Sequence, residues 1–215
     1  MSLKPIEIYQ EHKDLFDRYQ SLLLKWNQKI NLTAITDPEE MIEKHFVDSL
    51  SLVPLLLRWL SLSENVSRET FSPSLLDIGS GAGLPGLPLK IAFPNLRLTL
   101  VDAVKKKCDF LKEVIRSLSL KEAEVRHETL RGQSIGVFDV VVSRATFSLK
   151  EYLSLAVPQL KPQGIVVAMK GPEVESEVHE AREALRSFHL KPFESVSFEL
   201  PHSKSQRRIL MTRFS

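Results

Sequence analysis

The sequence contains a single cysteine, Cys108, in 215 residues. One cysteine allows no disulfide within the chain and no zinc site built from several thiolates, and it fits a reducing compartment such as the cytoplasm. The longest apolar stretch, near Leu52 to Leu60, is interrupted by Pro54 and Arg58 and is too short to cross a bilayer. The first residues lack the apolar run and the cleavage site of a signal peptide. We therefore expect a cytoplasmic protein with no membrane role and no metal site.

A strong excess of charge of either sign is also missing, since 29 basic and 27 acidic residues give a net charge of +2. Domains that bind nucleic acid are often strongly basic, so any contact with RNA must come from local clusters of positive charge. Hydrophobic residues at 43% and charged residues at 26% match ordinary soluble domains and exclude a disordered or fibrous chain. The length suits one α/β domain of roughly 150 residues plus an appendage.

The N-terminal part of the chain has helical periodicity. Apolar residues recur at spacings of three, four and seven over residues 4–30, which predicts an amphipathic helix. Asp37 and Pro38 are typical of a helix start, so a second helix begins near Pro38 and runs toward Leu60, with Pro54 expected to end or kink it. We predict a helical extension over residues 1–60, a linker over residues 61–74, a core over residues 75–215, and a monomer.

The predicted core alternates short apolar runs with helical stretches, which indicates a parallel sheet with crossover helices. The predicted strands are Leu75–Ile78, Leu96–Val101, Ala123–Arg126, Phe138–Ser143, Ile165–Met169, Glu194–Leu200 and Arg208–Thr212. A short turn joins the last two, which should form an antiparallel pair at one edge. The predicted fold class is α/β, a mostly parallel Rossmann-like sheet with an antiparallel C-terminal edge strand and N-terminal helices.

A glycine-rich turn, DIGSGAGLPG at residues 77–86, connects the first predicted strand to a helix. Glycines permit positive φ and let a ligand approach the backbone, while the start of the helix offers free amide donors. The second predicted strand runs into Asp102, where a carboxylate can accept hydrogen bonds from both hydroxyls of a ribose. The two features together predict a site for a nucleotide or a nucleoside.

Two cofactors fit this turn, and the residues alone leave both open. The pattern Gly81-x-Gly83-x-x-Gly86 satisfies the dinucleotide fingerprint. Asp77 favours S-adenosylmethionine, because an acid beside the turn can compensate an ammonium or sulfonium charge but would repel a pyrophosphate. With that cofactor, Gly79 and Gly81 become the functional pair. A tight turn that binds no ligand is the third alternative.

The end of the fourth predicted strand bears on the reaction, because ligands of open α/β sheets bind beyond the carboxyl ends of the strands. The strand ends in Ser143-Arg144-Ala145 and lacks the Asn/Asp-Pro-Pro-aromatic motif of exocyclic-amine methyltransferases. Cys108 lies on the ribose side of the predicted site, which disfavours methylation of a pyrimidine carbon. A ring nitrogen such as guanine N7 needs no deprotonation, and orientation alone can lower a barrier by about 7 to 11 kcal/mol. Arg144 is expected to contact cofactor or RNA.

Charged residues elsewhere add weaker signals. Lys105, Lys106 and Lys107 open a helix where its dipole disfavours cations, so contact with a phosphate backbone and a solvated basic turn are equally good explanations. His45 and Asp48 share one face of a predicted helix, where a structural interaction is the simpler explanation and no third metal ligand is evident.

Several segments, in this order along the chain, resemble the bacterial RsmG family, also called GidB. They are Trp26-Asn27, Ile30–Ala34, Lys44-His45-x-x-Asp48-Ser49-Leu50, Asp77–Gly86, Val101-Asp102, Lys106-Lys107-x-x-Phe110-Leu111, Phe138-Asp139, Ser143-Arg144-Ala145 and Lys170-Gly171. The resemblance implies a class I methyltransferase that uses S-adenosylmethionine to make 7-methylguanosine in the decoding-region loop of 16S rRNA. It also implies RNA or the 30S subunit as the partner.

The turn and the resemblance together select the site residues. The predicted cofactor-binding residues are Asp77, Gly79, Ser80, Gly81, Leu84, Asp102, Thr129, Leu130 and Arg144. The predicted RNA contacts are Lys105, Lys106, Lys107, Lys170, Lys204, Arg207 and Arg208. His45, Asp48 and Arg144 are candidates for positioning, and no residue is assigned a catalytic step. Many family members carry an acid in place of Leu130, so adenine recognition here would use backbone amides, Glu128 or Thr129.

Two rival functions remain at this point. A dinucleotide oxidoreductase would bind NAD(P), and a non-catalytic RNA- or ribosome-binding module would bind RNA without transferring a methyl group.

Overall fold

The structure is a computed structural model and describes residues 4–60, 72–144 and 146–215. The helices are α1 (Pro5–Glu11), α2 (Lys13–Asn27), α3 (Pro38–Met41), α4 (Asp48–Leu50), α5 (Leu52–Leu60), α6 (Gly86–Ala92), α7 (Lys105–Ser117), α8 (Leu149–Ala156), α9 (Glu175–Glu180) and α10 (Arg182–Ser187). A π-helical segment, Ile42–Val47, joins α3 to α4, and a 3₁₀ turn, Val157–Gln159, follows α8. The strands are β1 (Ser74–Ile78), β2 (Arg97–Asp102), β3 (Ala123–His127), β4 (Phe138–Arg144), β5 (Leu160–Lys170), β6 (Glu194–Glu199) and β7 (Gln206–Thr212).

The seven strands form one sheet in the order β3-β2-β1-β4-β5-β7-β6. The first five strands are parallel, and β7 is antiparallel to both β5 and β6. The predicted fold class and the predicted antiparallel pair are confirmed. β7 lies between β5 and β6, because its apolar run Ile209–Met211 is buried, whereas the alternating exposed residues of β6 suit an edge.

All seven predicted strands are present, with small shifts at their ends. β5 begins at Leu160 rather than at Ile165, and β7 begins at Gln206 rather than at Arg208. β1 begins at Ser74, inside the predicted linker, whose residues 61–71 lie outside the described part of the chain. The division of the chain into extension, linker and core stays a prediction.

The prediction of one continuous helix over residues 4–30 is wrong. His12 leaves the helical conformation, with φ −113° and ψ 24°, and separates α1 from α2, which ends at Asn27. Both helices keep their apolar faces on the core, through Ile8 in α1 and through Phe16 in α2. Periodicity predicts which residues are buried, but it does not show that a single residue between them leaves the helical conformation.

The second predicted helix starts as expected, because Asp37 Oδ1 accepts a hydrogen bond from the Glu40 amide at 2.8 Å. It then widens into the π-helical segment and breaks at Ser51. This break lies in the turn before Pro54 and agrees with the expectation that Pro54 interrupts the helix. Pro54 is the third residue of α5, where a missing backbone donor costs nothing because first-turn amides have no partner within the helix.

The N-terminal helices and the sheet share one apolar core. Tyr19 and Phe46 from this region belong to the same buried cluster as Leu87 of α6 and Phe110 of α7. The Tyr19 and Phe110 rings lie 6.4 Å apart, and the Tyr19 hydroxyl donates to the carbonyl of Ala82 in the glycine-rich turn. The N-terminal helices therefore support the turn directly. Within the described residues, no helix combines the length and the apolar character needed to cross a membrane.

Candidate functional site

A cavity of about 540 Å³ opens at the carboxyl ends of β1, β2 and β4. Its wall includes Gly79, Gly81, Leu84, Asp102, Leu130 and Arg144. This is the edge of an open α/β sheet at which ligands bind, and the volume lies in the range of about 300 to 1,000 Å³ usual for small-molecule sites. We call it the cofactor cavity. The structure thus brings together most of the predicted cofactor-binding residues.

The shape of the glycine-rich turn depends on residues without a side chain. Gly79, Gly81 and Gly83 have φ values of +71°, +56° and +88°, which L-residues rarely adopt. A Cβ atom on Gly83 would lie 2.3 Å from Cδ1 of Leu87, so a side chain there would collide with the start of α6. The turn is therefore a cradle of exposed backbone, which suits the close approach of a nucleoside cofactor.

Asp102 fastens this turn to the end of β2. Its Oδ2 accepts from the Gly81 amide at 2.9 Å, and its Oδ1 accepts from the Val104 amide at 2.8 Å. The residue is only 6% exposed, yet it lies in the wall of the cofactor cavity. Each carboxylate oxygen can accept a second hydrogen bond. The geometry thus leaves room for ribose hydroxyls, and that contact stays a prediction.

Asp77 does not lie in the wall of the cofactor cavity, although it was predicted to bind the cofactor. It is fully buried beneath the turn, where its Oδ2 accepts from the Gly86 amide at 2.9 Å. Burial raises the pKa of the Asp77 carboxyl to about 7, against the lowering effect of the Gly86 hydrogen bond. Its side chain lies on the α6 side of the sheet. The residue pattern did not predict on which face of the sheet this side chain would lie.

The remaining predicted cofactor residues lie around the same cavity. Ser80 is buried and donates to the Asp77 carbonyl at 2.8 Å, so its hydroxyl stabilises the turn. Thr129 is exposed and Leu130 is half-buried at the opposite wall, where Glu128 also lies. These placements are consistent with the predicted roles but do not test them.

Arg144, at the end of β4, joins the two N-terminal candidates. Its Nη1 lies 3.4 Å from Oδ2 of Asp48 and donates to the Lys44 carbonyl at 3.1 Å. Its Nη2 lies 3.5 Å from Nδ1 of His45. His45 and Asp48 therefore meet through the arginine. His45 belongs to the π-helical segment, a rare widened helix that is frequent at functional sites.

His45 is held in one protonation state by its partners. Arginine can only donate, so Nδ1 accepts and the proton is on Nε2, which lies 2.7 Å from Oγ1 of Thr33. Burial, together with the charge of Arg144, lowers the pKa of His45 to about 4. The imidazole is therefore neutral near pH 7.

Thr33 and Asn27 are site residues whose roles the sequence reasoning missed. The Asn27 carboxamide oxygen accepts from the amides of Leu32 and Thr33 at 2.9 and 3.0 Å, and its nitrogen donates to the Thr33 carbonyl at 2.9 Å. These three hydrogen bonds fix the backbone around Thr33, whose hydroxyl contacts His45. The only signal in the sequence was that both residues fall in the segments that carry the family resemblance.

The predicted RNA contacts fall into two regions. Lys105 and Lys106 are exposed near the cofactor cavity, and Lys107 lies in its wall. Lys170, Arg207 and Arg208 lie instead around a second cavity with Asp48. Lys204 is apart from both, exposed in the β6–β7 turn and 3.5 Å from Glu199. Binding of RNA by any of these residues stays a prediction.

Comparison with known proteins shows to which family this chain belongs. The family model described as "GidB: rRNA small subunit methyltransferase G" matches residues 12–209. The chain belongs to this family. A "Ribosomal RNA small subunit methyltransferase G" from Thermoanaerobacter sp. (strain X514) is 40% identical over 199 residues, covering 89% of this chain and 78% of the relative. The protein of the same name from Myxococcus xanthus (strain DK1622) is 42% identical over 197 residues, covering 89% and 83%.

The fold agrees with this membership. A solved "SAM dependent methyltransferase" from Aquifex aeolicus superposes with a TM-score of 0.57 at 18% identity, covering 82% of this chain and 93% of that one. Membership of this family makes the chain an S-adenosylmethionine-dependent methyltransferase rather than a dinucleotide oxidoreductase, and its substrate is RNA. Among the described residues, no cluster of three or more His, Cys, Asp or Glu side chains could hold a metal ion.

Proposed function

We propose that this enzyme methylates N7 of a guanine in the decoding-region loop of 16S rRNA, acting in the cytoplasm as a monomer on the 30S subunit or its RNA. One observation carries the choice of a ring nitrogen: the described wall of the cofactor cavity presents no thiol. Cys108 is buried outside that wall, and its thiol donates to the Asp102 carbonyl at 3.3 Å. A ring nitrogen needs no nucleophile from the protein, because its lone pair attacks directly.

The residues present fit S-adenosylmethionine, which supplies a methyl group activated by positively charged sulfur. Asp102 would accept hydrogen bonds from the ribose, and the backbone of Gly79 and Gly81 would hold the cofactor beside the turn. Val104 is an apolar side chain that is 46% exposed at the cavity, and with Leu130 it offers apolar surface for the adenine.

The protein's contribution to the reaction is mainly positional. Arg144 lies in the cavity wall and is held by Asp48 and the Lys44 carbonyl, so it can orient the incoming base. His45 is neutral, and its Nε2–H donates a hydrogen bond to Thr33 Oγ1. We therefore assign it no role in taking a proton from the substrate. The N-terminal helices thus form part of the catalytic unit, because they supply one wall of the site.

The proposal is tested with 30S subunits from a strain that lacks the modification. We expect tritium from labelled S-adenosylmethionine in 16S rRNA, in a single 7-methylguanosine, and no incorporation into subunits that already carry it. Parallel reactions with naked 16S rRNA show which form is the substrate. Label at another atom or in another RNA would contradict the proposed target, and RNA binding without label would indicate a binding module.

A further inference from the structure

A second cavity of about 320 Å³ lies beside the cofactor cavity and shares His45 and Arg144 with it. The rest of its wall includes Asp48, Lys170, Phe198, Arg207 and Arg208. The two cavities therefore adjoin at these two side chains, so an occupant of the second cavity would lie next to the cofactor. This position suits the group that accepts the methyl, since the reacting atoms must meet at the common wall.

Asp48 is the unusual member of this wall. It is 3% exposed, and its Oδ2 faces both Arg144 at 3.4 Å and Arg207 at 3.3 Å. Its other oxygen, Oδ1, is buried and has no hydrogen-bond partner among the described residues. A buried carboxylate oxygen without a donor is costly, so a donor that reached Oδ1 from the adjoining cavity would stabilise it.

We propose that the second cavity holds the target guanine and that Asp48 recognises its Watson–Crick edge. This inference rests on the proposed function, because it assumes a guanine acceptor. Guanine presents N1–H and its 2-amino group side by side, and these two donors match the two lone pairs of Asp48 Oδ1. Adenine presents a lone pair at N1 and would be repelled. Such a contact needs a base extruded from its stack, which is usual for enzymes that modify bases.

The charges around the second cavity agree with a nucleotide of RNA. Lys170, Arg207 and Arg208 line the cavity together with Asp48, the only acid in the described part of its wall. Arg207 pairs with Asp48, whereas Lys170 and Arg208 pair with Glu177 and Glu175 outside this wall. Cations of this kind suit the phosphates on either side of the base. Phe198 adds aromatic surface, on which bases of single-stranded RNA commonly stack.

Recognition at this edge would also assist the reaction. Methylation at N7 moves a positive charge from sulfur onto the purine ring, and that charge strengthens N1–H as a donor. A carboxylate at N1–H therefore binds the transition state more tightly than the ground state, which raises kcat as well as affinity. Asp48 is held in place for this role by two arginines.

The test compares guanosine with inosine, which lacks only the 2-amino group, at the target position of 16S rRNA. The inosine is introduced on a synthetic RNA segment that is ligated into 16S rRNA, and the product is assembled into 30S subunits. With the wild-type enzyme we expect kcat/KM to fall roughly 10- to 100-fold from guanosine to inosine, the effect of one hydrogen bond to a charged group. With Asp48→Asn the guanosine-to-inosine ratio should fall to within about threefold. The control Glu39→Gln removes an exposed acid of the neighbouring helix α3, outside the wall of the second cavity, and should leave the ratio unchanged.

The outcomes separate this proposal from the proposed function. If the wild-type enzyme methylates guanosine and inosine equally well, recognition of the Watson–Crick edge by Asp48 is refuted, whereas methylation at N7 is not. An Asp48→Asn variant that keeps the wild-type ratio would show that Asp48 only supports Arg144. Absence of any transfer to guanosine would instead refute the proposed function. If Asp48→Asn fails to fold, Asp48→Glu, which keeps the charge but displaces it, should still lower the ratio, and an unchanged ratio overturns the proposal.

Discussion

Replacement of Asp102 by asparagine tests whether this carboxylate holds the glycine-rich turn and binds the cofactor. The carboxylate accepts from the Gly81 amide at 2.9 Å and from the Val104 amide at 2.8 Å, so it fixes the turn from below. An amide side chain of the same shape keeps one oxygen and turns an NH₂ group toward the other donor. One backbone amide is then left unpaired, and the charge that would receive the ribose hydroxyls is gone.

The expected size follows from these losses. Hydrogen bonds to a charged group contribute about 1.5 to 3 kcal/mol each, and an unpaired buried amide costs about 1 to 3 kcal/mol, part of it in the free protein as well. We expect Asp102→Asn to weaken binding by about 2 to 4 kcal/mol, which is roughly a 30- to 700-fold rise in Kd.

Isothermal titration calorimetry with S-adenosylmethionine and S-adenosylhomocysteine measures this change. The 2′-deoxy analogue of S-adenosylhomocysteine should bind the wild type more weakly than the parent compound, whereas Asp102→Asn should no longer distinguish the two. Asp109→Asn is the control, because Asp109 pairs with Lys105 at 3.2 Å on the outside of α7. A Kd for Asp102→Asn within twofold of the wild-type value would refute the reasoning and remove Asp102 from the site.

Three further predictions concern stability and RNA binding. The folded-state pKa of His45 is lowered to about 4 from 6.5, so the unfolded chain binds the extra proton first, and the free energy of unfolding should fall by up to about 3 kcal/mol as pH drops from 6.5 to 4. Urea titrations across this range should show a smaller pH dependence for His45→Gln, and an identical slope would contradict the assignment. Gly83→Ala should lower the free energy of unfolding by about 2 to 4 kcal/mol, through collision with α6 and a left-handed φ. Gly171→Ala, with no atom within 4 Å of its added Cβ, should change it far less in the same urea titration. Lys106→Ala should weaken RNA binding and reduce the slope of log Kd against log salt by about 1, whereas Lys204→Ala, beside Glu199, should leave both nearly unchanged in filter-binding assays; equal effects would remove Lys106 from the interface.

The strands and the glycine-rich turn were predictable because their signals are local. A run of apolar residues that ends in Asp77–Gly86 specifies a strand, a positive-φ turn and a helix within a short stretch of chain. The step from β1 to β2 likewise places Asp102 beside Gly81, because neighbouring parallel strands end at the same edge of a sheet. The family segments then favoured one cofactor over another.

Helix geometry in the N-terminal region was less predictable. The break at His12 and the π-helical segment Ile42–Val47 both preserve the apolar pattern, so periodicity alone predicts continuous helices. The helix is interrupted near Pro54 as expected, but the break lies at Ser51, in the turn before the proline, and only the structure places it there.

The sequence by itself determined the order of elements, the nucleoside turn and the acid that closes it, because each depends on neighbouring residues or on one step between adjacent strands. Only the tertiary structure decided that Arg144 meets His45 and Asp48 across about a hundred residues of chain, that Asp77 is buried beneath the turn and outside the wall of the cofactor cavity, and that a second cavity shares His45 and Arg144 with the first. The physical reason is that these contacts arise from how the N-terminal helices pack on the carboxyl edge of the sheet, and a residue pattern contains no distance across that interface.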